Sequence, residues 1–179
     1  MEKSVRVRFP LRAPGDIMKN YEKVFESERI TFAYPSPDYV DDYLEMINNP
    51  EIYKHLSHNL QRTYTREQEL EWINSKLDKK ATCYMMLEKD TGEFIGNIEI
   101  VHVKDGTGEI GIVITAKKQD MHYGSEALKS LIDYGYNVLK LDGFDLHVHF
   151  DNPRAKHVYE KLGFESTGIH MVYKKPEET

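Results

Sequence analysis

Gln119-Asp120-Met121-His122-Tyr123-Gly124-Ser125, followed by Glu126-Ala-Leu-Lys-Ser-Leu-Ile-Asp-Tyr-Gly-Tyr-Asn-Val-Leu139, is the stretch on which the fold turns. Ala127, Leu128, Leu131, Ile132, Tyr134 and Leu139 recur at helical spacing, which predicts a helix over 126–139 opened by the preceding turn. The first amides of a helix have no partners inside it, so they face that turn. Together with the positive end of the helix dipole they make it a place for an anion. Gly124 has no Cβ to keep a phosphate away from the backbone. Taken alone, the same residues are equally an ordinary helix start capped by Ser125. A P-loop is excluded, because Gly-Lys-Ser/Thr is absent and no lysine stands at the helix start.

Two further signals follow in order. After a short strand at 144–150, Asp151-Asn152-Pro153-Arg154 reads as an N-cap with proline in the first helical turn. The helix it opens runs through Tyr159 to Lys161 and stops at Leu162-Gly163, where glycine supplies the left-handed C-cap before Phe164 begins another strand. On these residues the chain resembles the GNAT superfamily of acetyl-CoA-dependent N-acetyltransferases, in particular its ribosomal-protein alanine and spermidine acetyltransferase branch. The resemblance extends from Arg29 to Tyr173 and is sharpest from Asn152 to Phe164.

The resemblance implies a mixed α/β fold: a central, mostly antiparallel sheet with helices on both faces and one splayed parallel strand pair. It also implies site residues. Gln119, His122, Tyr123, Gly124 and Ser125 fall on the family's pyrophosphate loop, and Ile112, Val113 and Ile114 on the strand whose backbone pairs with pantetheine. Asn152 and Tyr159 fall on positions that face pantetheine and the thioester sulfur. His122 departs from the pattern, since the family usually has glycine there. A Cβ and ring narrow the loop, or a histidine donor joins the phosphate contacts, with Lys117 and Lys118 as further charge nearby.

The chemistry can be reasoned from the residues as well. Acetyl transfer needs a neutral amine, whereas a lysine-like amine, with a pKa of about 10.4, is mostly protonated at neutral pH. A carboxylate within reach is the simplest base. Glu109 is the first choice, because it leads the strand Glu109-Ile-Gly-Ile-Val-Ile114 and resembles the family's base position; Glu99, in the preceding strand, is the second. The departing thiolate needs a proton, and the Tyr159 phenol matches that role. A backbone N–H of the pantetheine strand would polarise the thioester carbonyl. Direct transfer is expected rather than an acyl-enzyme, since the single cysteine, Cys83, sits in what reads as a buried strand, Ala81 to Leu87, with nothing to activate it. One cysteine also excludes a disulfide within the chain and fits a reducing compartment.

The eight histidines raise a metal reading. His147, His149 and Asp145 alternate along one strand and share a face, but Leu146, Val148 and Phe150 make the other face core and no fourth ligand is evident, so no metal is expected.

Length and charge set the outer limits. The chain has 179 residues, enough for one domain with a sizeable core, and no stretch approaches a transmembrane span or a signal peptide. A soluble, cytoplasmic protein without membrane partners is expected. The net charge of −6 argues against nucleic acid as the main partner and favours a cationic acceptor. Residues 18–179 form the expected domain. Residues 1–17 are basic, contain two prolines and lack periodicity, and Val7-Arg8-Phe9-Pro10 is what a common tRNA-gene T-arm sequence, GTTCGATTCC, would spell in codons. A start placed upstream of Met18 is therefore the expectation, with a basic arm that binds an acidic partner as the rival.

The remaining elements follow from pattern. A strand is predicted from Arg29 to Ala33, then a helix from Pro37 to Asn48 with Val40, Tyr43, Leu44 and Ile47 as its apolar stripe. A short helix from Pro50 precedes a polar loop, and Thr65-Arg-Glu-Gln68 reads as a capping box for a helix through Trp72, Ile73 and Leu77. Strands are predicted over 81–89, 94–104 and 107–114, with Asp90-Thr-Gly92 and Asp105-Gly106 as hairpin turns. In the family the helical region covers the acceptor site, which makes Tyr53, His55, Tyr64 and Trp72 substrate candidates. Three functions stay open: an acetyl-CoA-dependent N-acetyltransferase acting on a polyamine, small amine or protein N-terminus; a CoA-binding regulator of the same fold; and a non-enzymatic interaction module. Acceptor identity and oligomeric state, a homodimer included, lie beyond the sequence.

Overall fold

The computed structural model describes residues 5–8, 19–54, 56, 63–78, 81–148, 152–167 and 170–174. Their strands join in one sheet: β1 (Val5–Arg8), β2 (Asn20–Glu26), β3 (Ile30–Ala33), β4 (Cys83–Glu88), β5 (Phe94–Lys104), β6 (Thr107–Ile114), β7 (Gly143–His147), β8 (Glu165–Ser166) and β9 (His170–Lys174). The order across the sheet is β1-β2-β3-β4-β5-β6-β7-β9-β8, and every neighbouring pair is antiparallel except β6 and β7. The mixed α/β architecture expected from the resemblance is present.

Each sheet face carries its own core, because successive side chains of a strand point to opposite sides. On one face, α4 (Tyr123–Tyr134) and α5 (Pro153–Lys161) pack Leu128, Leu131 and Tyr159 against Ile98, Ile110 and Phe144. On the other, α1 (Val40–Ile47), α2 (Pro50–Tyr53) and α3 (Arg66–Asp78) pack Tyr43, Ile52 and Ile73 against Met85 and Leu87. Val40 and Tyr43 of the expected α1 stripe are buried, but Met46 rather than Ile47 completes it. Residues 37–39 form a 3-10 turn ahead of α1, with proline at its first position.

Local sequence chemistry sets several boundaries. Thr65 and Gln68 cap α3 reciprocally: the Gln68 amide donates to Thr65 Oγ1 at 3.3 Å and the Thr65 amide to Gln68 Oε1 at 3.0 Å. The β5–β6 hairpin closes on Asp105 and Gly106, at φ 49° and 77°, the positive values that a two-residue hairpin turn needs.

Several boundaries depart from the sequence expectations. α4 begins at Tyr123, not Glu126, because His122 itself adopts a left-handed conformation, φ 64°, and serves as N-cap; Ser125 lies inside the first turn. The helix then continues through a π turn, Gly135–Leu139. β7 covers Gly143–His147, and residues 149–151 lie outside the described part. β2 was not expected. Its neighbour β1 lies within the segment read as an extension, and its backbone pairs with β2 from Val5 opposite Lys23 to Arg8 opposite Asn20.

Candidate active site

The site begins where the parallel pair parts. β6 and β7 are in register only from Thr107–Gly143 to Glu109–Asp145; β6 then runs on to Ile114, while β7 stops at His147. Beyond Glu109, no strand among the described residues lies along the β7-side edge of β6 to satisfy its backbone groups, which are obligatory hydrogen-bonding groups. A cavity of about 660 Å³ opens along this edge. Its walls include Ile110, Ile112 and Ile114 of β6, Gly124 and Leu128 of α4, and Asn152, Val158 and Tyr159 of the α5 region.

At one end of the cavity, α4 presents its first turn. The Glu126 amide reaches the His122 carbonyl at 3.3 Å, so the amides of 123–125 precede the helical ladder. A Cβ built on Gly124 meets no protein atom within 4 Å, and the residue lines the cavity. The backbone is thus open to a bulky anion there. The turn is held from behind. Arg29 bonds Glu126 through Nε at 2.8 Å and the Met121 carbonyl through Nη1 at 3.1 Å, and its guanidinium lies 4.5 Å from the Tyr123 ring centroid. The Tyr123 side chain is buried and donates its hydroxyl to Glu88 at 2.5 Å, which leaves only its amide facing the turn. Lys118 Nζ sits 2.9 Å from Glu88 and 2.7 Å from Glu93, and Lys117 pairs with Glu45, so both lysines have carboxylate partners.

Burial works against ionisation of Glu88, yet hydrogen bonds from Thr91, Tyr123 and Lys118, together with the Lys118 charge, bring its carboxyl down to about 2. Gln119 donates Nε2 to the Ile114 carbonyl at 3.1 Å, tying the loop to the end of β6. The His122 side chain is exposed.

Tyr159 approaches the cavity from α5, and its position is fixed by the sequence that follows it. Gly163, at φ 94°, lets its own amide bond the Glu160 carbonyl and the Phe164 amide bond the Tyr159 carbonyl, both at 3.0 Å. This is a Schellman motif, with Phe164 packed on Tyr159 at a centroid distance of 6.0 Å. Burial pushes the Tyr159 phenol up to about 12, so it remains a proton donor at neutral pH. Its hydroxyl makes no hydrogen bond among the described residues. Asn152, read as the N-cap, accepts from the Ala155 amide at 3.1 Å and still lines the cavity with its remaining surface.

The carboxylates occupy the opposite face. Glu109 and Glu99 share the side of Val113 and Gly111, and a Cβ on Gly111 would lie 3.5 Å from Glu99 Cγ. Glu109 Oε1 is 2.9 Å from His147 Nδ1. Glu99 is bound to Lys76 at 2.6 Å. Both line the cavity. Beneath them lies a buried polar cluster in which Tyr43 donates to Asn97 Oδ1 at 2.9 Å, with Cys83 Sγ 3.5 Å from the same oxygen. Burial pushes the Cys83 thiol up to about 12, which keeps it protonated.

The acceptor candidates fare differently. His55 and the Tyr53 side chain lie outside the described residues. Tyr64 exchanges backbone bonds with the Asn48 side chain, and Trp72 packs on Tyr43 with Lys76 above its ring; neither lines the cavity. Glu51, Ile52, Asn97 and Arg154 do line it and were not anticipated, since only the long-range packing of α2, β5 and α5 brings them there. Among the described residues no three His, Cys, Asp or Glu side chains gather as a metal-holding group; His149 lies outside them.

A sheet parted at one parallel pair, with a helix mouth for an anion and a phenol beside the gap, defines a CoA-dependent acyltransferase of the GNAT type. Residues 29–165 match the family model described as an acetyltransferase (GNAT) domain, and the chain belongs to that family. A spermidine N(1)-acetyltransferase of Vibrio cholerae is 28% identical over 120 residues, covering 65% of this chain and 69% of the relative. Among solved structures, a GNAT-family acetyltransferase from Bacillus anthracis superposes with a TM-score of 0.73 at 19% identity, covering 83% of this chain and 95% of that one. The Vibrio cholerae spermidine N-acetyltransferase in complex with CoA and spermine gives 0.68 at 20% identity, covering 83% and 94%. The protein is an acetyl-CoA-dependent N-acetyltransferase. The residues present fit that co-substrate: an open strand edge for pantetheine, and free amides with an unfilled Cβ position at Gly124 for the diphosphate. No helix among the described residues is long and apolar enough to cross a membrane.

Proposed function

We propose that the chain acetylates the primary amine of a small cationic acceptor, a polyamine first among them, with small amines and protein N-termini as the alternatives, by direct transfer from acetyl-CoA. The observation that carries this reading is that one cavity along the unpaired edge of β6 is shared by Glu109 on one side and Tyr159 on the other. In this reading, the Ile112–Ile114 backbone holds the pantetheine arm and polarises the acyl carbonyl, while Asn152 orients the arm from the far wall. The amides of Tyr123, Gly124 and Ser125 receive the diphosphate, beside Gln119 and His122.

Glu109 takes the proton of the acceptor ammonium, directly or through water, and His147 at 2.9 Å steadies the carboxylate. Glu99 is the second base candidate, because its carboxylate is already engaged by Lys76 at 2.6 Å. The Tyr159 phenol delivers the proton that the departing thiolate needs. Three carboxylates, Glu51, Glu99 and Glu109, line the cavity with one arginine among the described lining residues, which favours a positively charged acceptor. The Vibrio cholerae relatives, spermidine acetyltransferases by name, support the polyamine class.

Thiol release from acetyl-CoA across a panel of polyamines, small monoamines and peptide N-termini tests the proposal. Turnover highest with polyamines is expected. CoA binding without thiol release on any primary amine would replace it with the CoA-binding regulator. A cytoplasmic location is part of the same proposal, supported by a single, unpaired cysteine; recovery of the chain outside the cell or with membranes would contradict it.

A further inference from the structure

Arg154 links the two walls of the cofactor groove. It stands in the first turn of α5, with Nη2 2.8 Å from Asp120 Oδ1, and Nη1 donates to Gln119 Oε1 at 3.3 Å. Gln119 is itself tied to the end of β6, so the guanidinium lies beside the turn that opens α4. Other cations around this turn have partners within the protein: Arg29 with Glu126, Lys117 with Glu45, and Lys118 with Glu88 and Glu93. Arg154 is the one arginine or lysine among the described residues that line the cavity.

Its partner is an unusual one. Asp120 adopts a left-handed conformation, φ 60°, and its side chain is 81% exposed, against 51% for Arg154. An ion pair this open to water is held weakly and exchanges readily. A carboxylate also offers the guanidinium fork the same two-oxygen geometry that a phosphate does.

We propose that Asp120 keeps a place for phosphate: Arg154 releases the Asp120 carboxylate and grips the diphosphate of acetyl-CoA, and Asp120 takes the guanidinium back when CoA departs. The proposal rests on the acetyl-CoA assignment and adds a ligand to it on the α5 wall. Asp120 then competes with the cofactor, so removing its charge tightens binding while removing the arginine weakens it. A purely structural ion pair has no such opposition of sign.

Calorimetric titration of CoA into wild type, Arg154→Met, Asp120→Asn and the double variant tests this, with thermal melting of each unliganded variant to establish its fold. Arg154→Met should weaken CoA about tenfold or more, as loss of a charge-assisted bidentate contact does. Asp120→Asn should tighten it about threefold, and the double variant should match Arg154→Met, because Asp120 acts only through the arginine. Unchanged affinity in Arg154→Met, or no gain in Asp120→Asn, would overturn the proposal while leaving wild-type CoA binding intact. Absence of binding in the wild type would overturn the cofactor assignment as well. With 3′-dephospho-CoA the Arg154→Met penalty should persist; its disappearance would overturn the diphosphate as the group gripped.

Discussion

Replacing Gly124 with leucine should separate stability from cofactor binding, because the two depend on different surroundings of one atom. A Cβ on Gly124 meets no protein atom within 4 Å, whereas a Cβ on Gly135 would lie 2.3 Å from the Phe144 ring. Gly124 also lies in the first turn of α4, where leucine is a better helix former by roughly 0.5–0.8 kcal/mol. Free of clash, the Gly124→Leu protein should therefore melt about 1–3 °C higher than wild type in the absence of ligand. Its side chain would occupy the space that the diphosphate needs in front of the α4 amides. Loss of two charge-assisted hydrogen bonds costs about 3 kcal/mol or more, which corresponds to a weakening of CoA by at least about a hundredfold. Differential scanning fluorimetry without ligand and calorimetric titration of CoA read the two effects separately. CoA affinity equal to wild type would refute the placement of the diphosphate at this helix mouth, and a lower melting temperature would refute the open surroundings of Gly124.

Other consequences follow from the same geometry. Tyr159→Phe should lower turnover by at least about tenfold while CoA affinity stays within about twofold, since a proton donor and not a binding group is removed; equal turnover would remove Tyr159 as the acid. Glu109→Gln should flatten the acidic limb of the pH–rate profile, because a base works only when deprotonated and the amide does not titrate; an unchanged limb would move the role to Glu99 or water. Gly163→Ala should cost about 1–2 kcal/mol, as its φ of 94° is unfavourable to a Cβ that would also lie 3.2 Å from the Tyr173 ring, and turnover should fall with it because the Schellman bonds hold Tyr159. Unaltered melting and turnover would contradict that.

Glu88 supplies a pH signature. Its carboxyl is held at about 2, below the unfolded value near 4.5, so the stability it confers is complete above pH of about 4.5 and is lost as pH falls toward 2. The full shift corresponds to on the order of 3 kcal/mol. Glu88→Gln should therefore reduce stability at neutral pH and narrow its gap to wild type at acid pH; a pH-independent gap would contradict the assignment.

What could be read in the sequence was local. The alternation of β6 and the Asp105-Gly106 turn place β5 and β6 at the observed bounds, and the Thr65–Gln68 capping box and the Gly163 C-cap form as their residue types dictate. β2 escaped notice because a register shift between Lys23 and Phe25 breaks its period of two, so Tyr21 serves one core while Val24 and Phe25 pack on the other. The α4 start escaped because Ser125 offers the commoner capping side chain, while the left-handed conformation that makes His122 the N-cap leaves no mark in the local sequence. At the site, Tyr159, Glu109, Glu99, Asn152 and Gly124 do converge on one cavity, as residues in or beside recognisable turns and strands. Arg154, Asn97 and Glu51 join them only through packing between distant segments, and nothing in their local sequence announces it. The same distance hid the partners of Lys118, which the loop sequence alone left free to meet a phosphate.

Amide hydrogen exchange with and without acetyl-CoA reports on the parted strand edge and the helix mouth in one experiment. Acetyl-CoA should slow exchange in peptides spanning Ile110–Ile114, paired with β5 but with no described strand on the β7 side, and Tyr123–Ser125, whose amides precede the helical ladder, and leave Thr107–Glu109, already paired with β7, unchanged. Protection confined to other parts of the chain, or no protection at millimolar acetyl-CoA, would contradict it.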